Sequence, residues 1–283
     1  MYKIIDGKAL AAKMRAELKA EVEAFTAETG KEVGLAVVLA GNDPASQVYV
    51  RNKIKACGET GIRSHAFYLP ADVTQSQIEE LVASLAANED IHGILVQLPL
   101  PKGLDAERVL GLIPYEKDVD GFSAENIGNL AMNRKTLVAC TPFGVMKMLE
   151  SENIPLKGKN AVVLGRSNIV GKPMAMLLTN ADATVTLCHS KTENLREICA
   201  RADILVAAIG RAKFVTADMV KEGATVIDVG MNRDENGKLC GDVDYENVKE
   251  KAAYITPVPG GVGPMTITML MHNAFIAAKR SVE

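Results

Sequence analysis

Apolar residues fall into short runs separated by longer amphipathic or polar stretches along nearly the whole chain. Short apolar runs bounded by turn residues suit strands buried on both faces, and their alternation with helix-length segments predicts βαβ units around mostly parallel sheets. In the first half the predicted strands cover residues 33–39, 65–69 and 93–97. Helices are predicted over 7–29, from Asp43-Pro44 with Asp as N-cap and Pro at the first helical position, and from Thr74, where Thr-x-x-Gln has capping-box spacing. Residues 118–137 carry turn signals at Asp120-Gly121 and Gly128-Asn129 and little periodicity, so they read as a connection between two halves. A helix from Thr141-Pro142 and strands at 160–164, 184–188, 204–208, 225–229 and 254–256 form a second set, closed by a terminal helix over 264–279. Two α/β sheets are the simplest account of this order.

Length and charge narrow the function classes. The 283 residues fit two modest domains. With 32 Lys+Arg against 35 Asp+Glu, the net charge is −3, and there is no long basic block, so neither nucleic acid nor an anionic membrane is expected as a partner. No apolar run reaches the roughly 20 residues of a spanning helix, and charge enters by Asp6, so no signal peptide is read and the chain is expected in the cytoplasm. The five cysteines (Cys57, Cys140, Cys188, Cys199, Cys240) and four histidines (His65, His92, His189, His272) lack metal-ligand spacing, so no metal is expected.

The clearest local signal is the strand 162–164 running through Gly165-Arg166-Ser167-Asn168-Ile169-Val170-Gly171 into a helix. Glycines there let amide groups at a helix start approach a pyrophosphate. Ser167 stands where the usual Gly-x-Gly-x-x-Gly has its second glycine, so this turn alone leaves a nucleotide site and an incidental glycine turn equally open. The next strand ends in His189-Ser190-Lys191 without the acid that would hold an NAD ribose. Arg166 with Ser190 instead suits a 2′-phosphate, which favours NADP.

Elsewhere, Tyr49 and Lys53 lie four apart on one helix face, a spacing that by itself is commonest for a solvated pair. Gln97 closes a buried strand where α/β sheets bind ligands, or caps free carbonyls there. Asp118 and Asp120 share a turn, in which Asp118 reads more readily than Asp120 as a backbone-bonding residue. Residues 256–266 are dense in Gly and Pro, which suits a stiff, shaped binding loop before the last helix.

Together, Tyr49-Val50-Arg51-Asn52-Lys53, the segment from Gly93 to Pro101, Lys117-Asp118-Val119-Asp120-Gly121, Gly165-Arg166-Ser167-x-x-Val170-Gly171-Lys172-Pro173 and Pro257-x-Pro259-Gly260-Gly261-Val262-Gly263-Pro264-Met265-Thr266 resemble the bifunctional methylenetetrahydrofolate dehydrogenase/cyclohydrolase family over nearly the whole chain. The resemblance implies two α/β domains with a cleft between them, the C-terminal one a Rossmann-like parallel sheet. Residues 1–140, completed by the helix 264–283, would form the folate-binding domain, and 141–263 the NADP-binding domain. It further implies oxidation of 5,10-methylenetetrahydrofolate by NADP⁺, followed by hydrolysis of the methenyl product to 10-formyltetrahydrofolate. Lys53 would be the acid/base of the hydrolysis, supported by Tyr49 and Gln97, with Asp120 holding the pterin ring. Val96, Leu98 and the loop Pro259, Gly260, Gly261, Val262 and Gly263 would contact the folate. Gly165, Arg166, Ser167, Ser190 and Met231 would line the NADP site, and a homodimer would form through the nucleotide-binding domains. Two other readings are a different two-domain NADP dehydrogenase, of the shikimate or amino-acid kind, and a nucleotide-sensing module without turnover. The Gly-Pro loop and the Tyr49/Lys53 spacing disfavour the first, and the full set of motif residues disfavours the second.

Overall fold

A computed structural model describes residues 2–282. In chain order the elements are β1 (Lys3–Ile4), α1 (Gly7–Thr29), β2 (Gly34–Ala40), α2 (Pro44–Thr60), β3 (Arg63–Leu69), α3 (Gln75–Ala87), β4 (Gly93–Gln97), α4 (Ala106–Leu110), α5 (Ala124–Ala131), α6 (Cys140–Ser151), β5 (Asn160–Leu164), α7 (Gly171–Asn180), β6 (Thr184–Cys188), α8 (Leu195–Cys199), β7 (Ile204–Ala207), β8 (Thr225–Asp228), β9 (Asn232–Arg233), β10 (Leu239–Cys240), α9 (Tyr245–Val248), β11 (Tyr254–Ile255) and α10 (Val262–Arg280). They form two compact units, one of residues 12–140 with 267–283, the other of residues 1–11 with 141–266.

The first unit holds a three-stranded parallel sheet of order β3-β2-β4. Every residue of β2 is buried, as a central strand covered on both faces requires. Its core joins Val38, Ile94 and Val96 of the sheet to Ile78, Val82 and Leu85 of α3. The predicted caps form: Asp43 accepts from the Ser46 amide at 2.7 Å, and Thr74 and Gln77 complete a reciprocal capping box.

The second unit holds a six-stranded sheet of order β1-β11-β8-β7-β5-β6, parallel throughout. From β5 the chain steps outward to β6 on one side and then crosses to β7 on the other, so the strand order reverses between β5 and β7. A separate antiparallel ribbon pairs β9 with β10.

Two sequence expectations change. The first eleven residues belong with the second unit, because β1 pairs with β11, a contact between chain ends that local pattern cannot reveal. Residues 118–137 are more than a connection. They contain α5, capped by Ser123 on the Asn126 amide. The buried Asn126 there donates to Tyr115 O at 2.8 Å and Asp118 Oδ2 at 3.1 Å and accepts from Thr136. Polar bonding rather than an apolar stripe organises the segment, which is why periodicity missed it.

His92, 4% exposed, accepts the Gly34 amide on Nδ1 at 3.1 Å. Burial, with Lys117 and Lys31 nearby, pushes its pKa below the usual value of 6.5. The unfolded chain therefore binds the extra proton more readily, and this residue's contribution to stability is complete above pH 6.5 and falls as pH drops toward the lowered native pKa. We expect His92→Leu to cost about 1–3 kcal/mol at pH 7.5 by orphaning the Gly34 amide, and the deficit relative to the native chain to shrink at pH 5.5. Urea titrations of both chains at the two pH values check this, and a pH-independent deficit contradicts it.

Candidate functional site

In the first unit, β2 and β4 are neighbours with matched register up to Leu39 and Gln97. Strand order reverses here too, since the chain leaves β2 for the outer β3 and returns to β4 on the other side, and α/β sheets bind ligands at such points. Helix α2 follows β2 and carries Tyr49 and Lys53, while β4 delivers Gln97 at its carboxyl end. The half-buried Lys53 donates from Nζ to Gln97 Oε1 at 2.9 Å, and Gln97 Nε2 donates onward to Leu98 O at 2.8 Å. The Gln97 amide is thereby fixed with its oxygen toward the ammonium. Val96 is buried in the core, whereas Leu98 and Tyr49 are exposed, Tyr49 at 43%.

The turn after β4's neighbouring segment supplies the carboxylates, and their environments differ. Asp118, 7% exposed, is consumed by structure. Its Oδ1 accepts the Gly121 amide at 3.0 Å, and its Oδ2 accepts the Ser123 amide at 2.7 Å and Asn126 Nδ2. Asp120, two residues on, sits in a recess where loss of solvent raises its pKa to about 6, opposed by the Lys53 ammonium and reinforced by the Asp118 charge. Lys53, Gln97 and Asp120 thus converge, with a cation beside a carboxylate that titrates near neutrality.

Two features that fix this turn escaped the sequence reading. Gly121 has φ of +74°, and a Cβ there would lie 2.5 Å from the Ala139 nitrogen, so the turn is pressed against residues 138–139. Asn273 of α10, fully buried, clamps the same two segments by donating from Nδ2 to Val119 O and Val138 O, both at 2.8 Å. Cys140 is buried beside Asp120, its thiol donating to Val119 O at 3.2 Å, and burial first and the Asp120 charge second hold it well above its usual pKa, so it stays a thiol. An Asn among the apolar residues of the last helix, 154 residues from Val119, was the available signal.

In the second unit the reversal between β5 and β7 holds the glycine turn. Gly165 has φ of +116°, and a Cβ would lie 2.1 Å from Ala208 O, so only glycine lets the two strand ends close on each other. Ser167 Oγ accepts the Val170 and Gly171 amides at 3.2 and 3.3 Å, which orders the entry to α7. Arg166 and Ser190 are exposed, the latter in the turn after β6, where the His189 amide donates to Thr192 Oγ1 at 2.8 Å. Met231 follows β8, is 53% exposed, and has its Cε 3.4 Å from where a Cβ on Gly263 would stand. The loop Pro257–Gly261 is braced on the start of α1: Lys8 N donates to Gly260 O at 2.9 Å, and the Gly261 carbonyl packs directly on Gly7. The structure therefore brings Gly165, Arg166 and Ser167 to one strand end and Met231 beside Gly263, as it brings Lys53, Gln97 and Asp120 together in the other unit.

Among the described residues no cluster of three or more His, Cys, Asp or Glu is placed to hold a metal ion, and no helix is long and apolar enough to cross a membrane.

Comparison with known proteins agrees with this geometry. Residues 5–120 match the family model for the tetrahydrofolate dehydrogenase/cyclohydrolase catalytic domain, and residues 139–282 match that family's NAD(P)-binding domain. The bifunctional protein FolD of Azoarcus sp. is 59% identical over 285 residues, covering 99% of this chain and 98% of the relative. A crystal structure of the bifunctional FolD enzyme from Campylobacter jejuni superposes with a TM-score of 0.96 at 49% identity, covering 99% of both chains. The Trypanosoma brucei dehydrogenase-cyclohydrolase, solved with NADP cofactor and inhibitor, gives 0.94 at 42% identity over 100% of this chain and 99% of its own. With both halves matched in order and relatives of this similarity over the full length, the chain belongs to the tetrahydrofolate dehydrogenase/cyclohydrolase family.

Proposed function

We propose that Lys53 is the proton-transfer residue of a bifunctional enzyme that oxidises 5,10-methylenetetrahydrofolate with NADP⁺ and hydrolyses the methenyl product to 10-formyltetrahydrofolate. The observation that carries this reading is the Lys53 Nζ to Gln97 Oε1 bond of 2.9 Å beside the Asp120 carboxylate. The methenyl carbon is already cationic, so water can attack it without a metal; what the step needs is removal of a proton from that water, protonation of the ring nitrogen as its C–N bond opens, and release of the remaining carbinol O–H proton to solvent as the formyl C=O forms. In this reading Lys53 Nζ serves both transfers. Gln97 orients it through an acceptor that carries no charge, and Tyr49 stands one turn earlier on the same helix. Asp120, as a carboxylate, accepts N–H groups of the pterin, and Val96, Leu98 and Pro259–Gly263 serve as the folate's remaining contacts in this proposal.

NADP⁺ when bound supplies the hydride acceptor of the first step. The residues fit it: the positive-φ turn at Gly165 would give a pyrophosphate close backbone approach, and Arg166 and Ser190, both exposed, would supply a guanidinium and a hydroxyl to a 2′-phosphate. The protein's part in hydride transfer is orientation, a positioning task that requires no separate base. The expected homodimer through the nucleotide-binding units, for which the edge strand β6 offers an unpaired side, and the expected cytoplasmic location belong to the same proposal.

Three outcomes test it. Lys53→Met is expected to lower hydrolysis of methenyltetrahydrofolate about 10²- to 10⁴-fold while both ligands still bind, followed by decay of the methenyl absorbance; near-native decay removes Lys53 from its role. Arg166→Ala is expected to weaken NADP⁺ about tenfold or more and to leave NAD⁺ nearly unaffected in the same dehydrogenase assay; equal losses eliminate the 2′-phosphate contact. For Asp120, the KM for folate is expected to rise as pH falls through about 6. A raised native pKa contributes stability that is present below the unfolded value near 3.8 and lost as pH rises through about 6, so Asp120→Asn is also expected to gain stability, on the order of 1 kcal/mol at pH 7.5, while losing folate affinity. A variant that is destabilised with unchanged KM refutes this assignment.

A further inference from the structure

Two buried carboxylates at the carboxyl edge of the six-stranded sheet take no part in the scheme above. Asp228 ends β8 and is 3% exposed; Asp242 follows β10 and is fully buried. Among the described residues neither pairs with a lysine or arginine. Asp242 accepts from three consecutive amides of the loop after β7, those of Ile209 at 2.6 Å, Gly210 at 3.1 Å and Arg211 at 2.8 Å, and from Asn232 Nδ2 at 2.9 Å. Asp228 accepts the amides of Gly230, Asp242 and Val243, each at 2.9 Å. The two knots are chained, since Asp228 fixes the backbone of Asp242, whose side chain fixes the β7 loop.

The loops so held are those a dinucleotide must meet. The β7 loop begins at Ala208, the residue packed on Gly165 at the reversal of strand order. The loop after β8 carries Met231, immediately before Asn232. The packing leaves no slack: a Cβ at Gly241 would fall 1.8 Å from Asp228 Oδ2. Three consecutive amides drawn onto one buried carboxylate fix the peptide orientations of the start of the β7 loop. A purely apolar packing would not define the direction of each peptide in this way.

We infer that Asp228 and Asp242 are positioning residues for hydride transfer, which set the β7 loop and Met231 against the nicotinamide half of NADP and have no part in the hydrolysis. The inference rests on the proposed two-step function and deepens it, because it assigns these residues to one step only.

Asn232→Ala removes one side-chain donor from Asp242 at a partly exposed position, so the fold is expected to persist. Asp242→Asn replaces an acceptor oxygen with a donor facing backbone N–H groups. Each purified full-length variant is assayed for NADP⁺-dependent dehydrogenation and, without nucleotide, for hydrolysis of methenyltetrahydrofolate. Asn232→Ala is expected to lower dehydrogenase kcat/KM for NADP⁺ about tenfold, the loss of one charge-assisted bond, and Asp242→Asn about a hundredfold, with hydrolysis within about twofold of native for Asn232→Ala. Equal falls in both activities of Asn232→Ala, or an unchanged dehydrogenase, overturn the inference. Asp242→Asn failing to fold while Asn232→Ala keeps native dehydrogenase kinetics also overturns it, leaving a structural role alone. Failure of the underlying two-step reading shows itself differently, as a native enzyme lacking one of the two activities.

Discussion

Backbone amides that emerge at the carboxyl end of a parallel strand have left the ladder, and in a packed interior each must find an acceptor or cost on the order of 1–3 kcal/mol. In both units aspartates collect these amides. Asp118 gathers the turn of residues 118–123, and Asp228 and Asp242 gather the loops after β7, β8 and β10. The shapes of the loops, and with them the placement of Asp120, Met231 and the Gly165 turn, follow from where these three carboxylates sit. Burying a charge is expensive, and several N–H dipoles converging on each carboxylate offset that cost. For Asp228 desolvation still prevails and raises the pKa to about 7.

The same chemistry two residues apart gives a different result when the amides are withheld. Asp118 and Asp120 belong to one turn, yet the first is wrapped in donors and the second faces the Lys53 ammonium from a desolvated recess. One becomes architecture and the other a group that titrates near neutrality, available to a ligand. The amide clamp of Asn273 on Val119 O and Val138 O holds the backbone next to Asp120 in place, which restrains the Gly-containing turn there.

Much of this was legible in the residues. The strands and the long helices follow from hydrophobic runs and caps, and α1 spans the predicted 7–29. Gln97 and the Gly165 turn could be placed at strand ends because parallel sheets put ligands there, and the motif resemblance led to the family that the comparisons establish. What local pattern could not supply were contacts made at long range by polar atoms. The pairing of β1 with β11 joins opposite ends of the chain. The Asn126 hub organises a segment that looked featureless, and Asp228 and Asp242, 14 residues apart in sequence and bonded through the Asp242 amide, sat in an unremarked stretch of strand and turn residues. Periodicity reports apolar burial; it is silent about carboxylates whose partners are backbone.

Lys53 and Asp120 cannot be understood as separate residues. The ammonium is the main force opposing the desolvation that raises the Asp120 pKa, so under the proposed function a change at Lys53 acts twice, removing the proton carrier and making the neighbouring carboxylate harder to ionise. A neutral replacement such as methionine removes that opposing charge, whereas arginine, which stays protonated, would keep a positive charge at this position. In the proposed scheme the charge and the proton of Lys53 make distinct contributions, one to holding the folate and the other to opening its ring, and Gln97 Oε1 fixes the nitrogen that carries them.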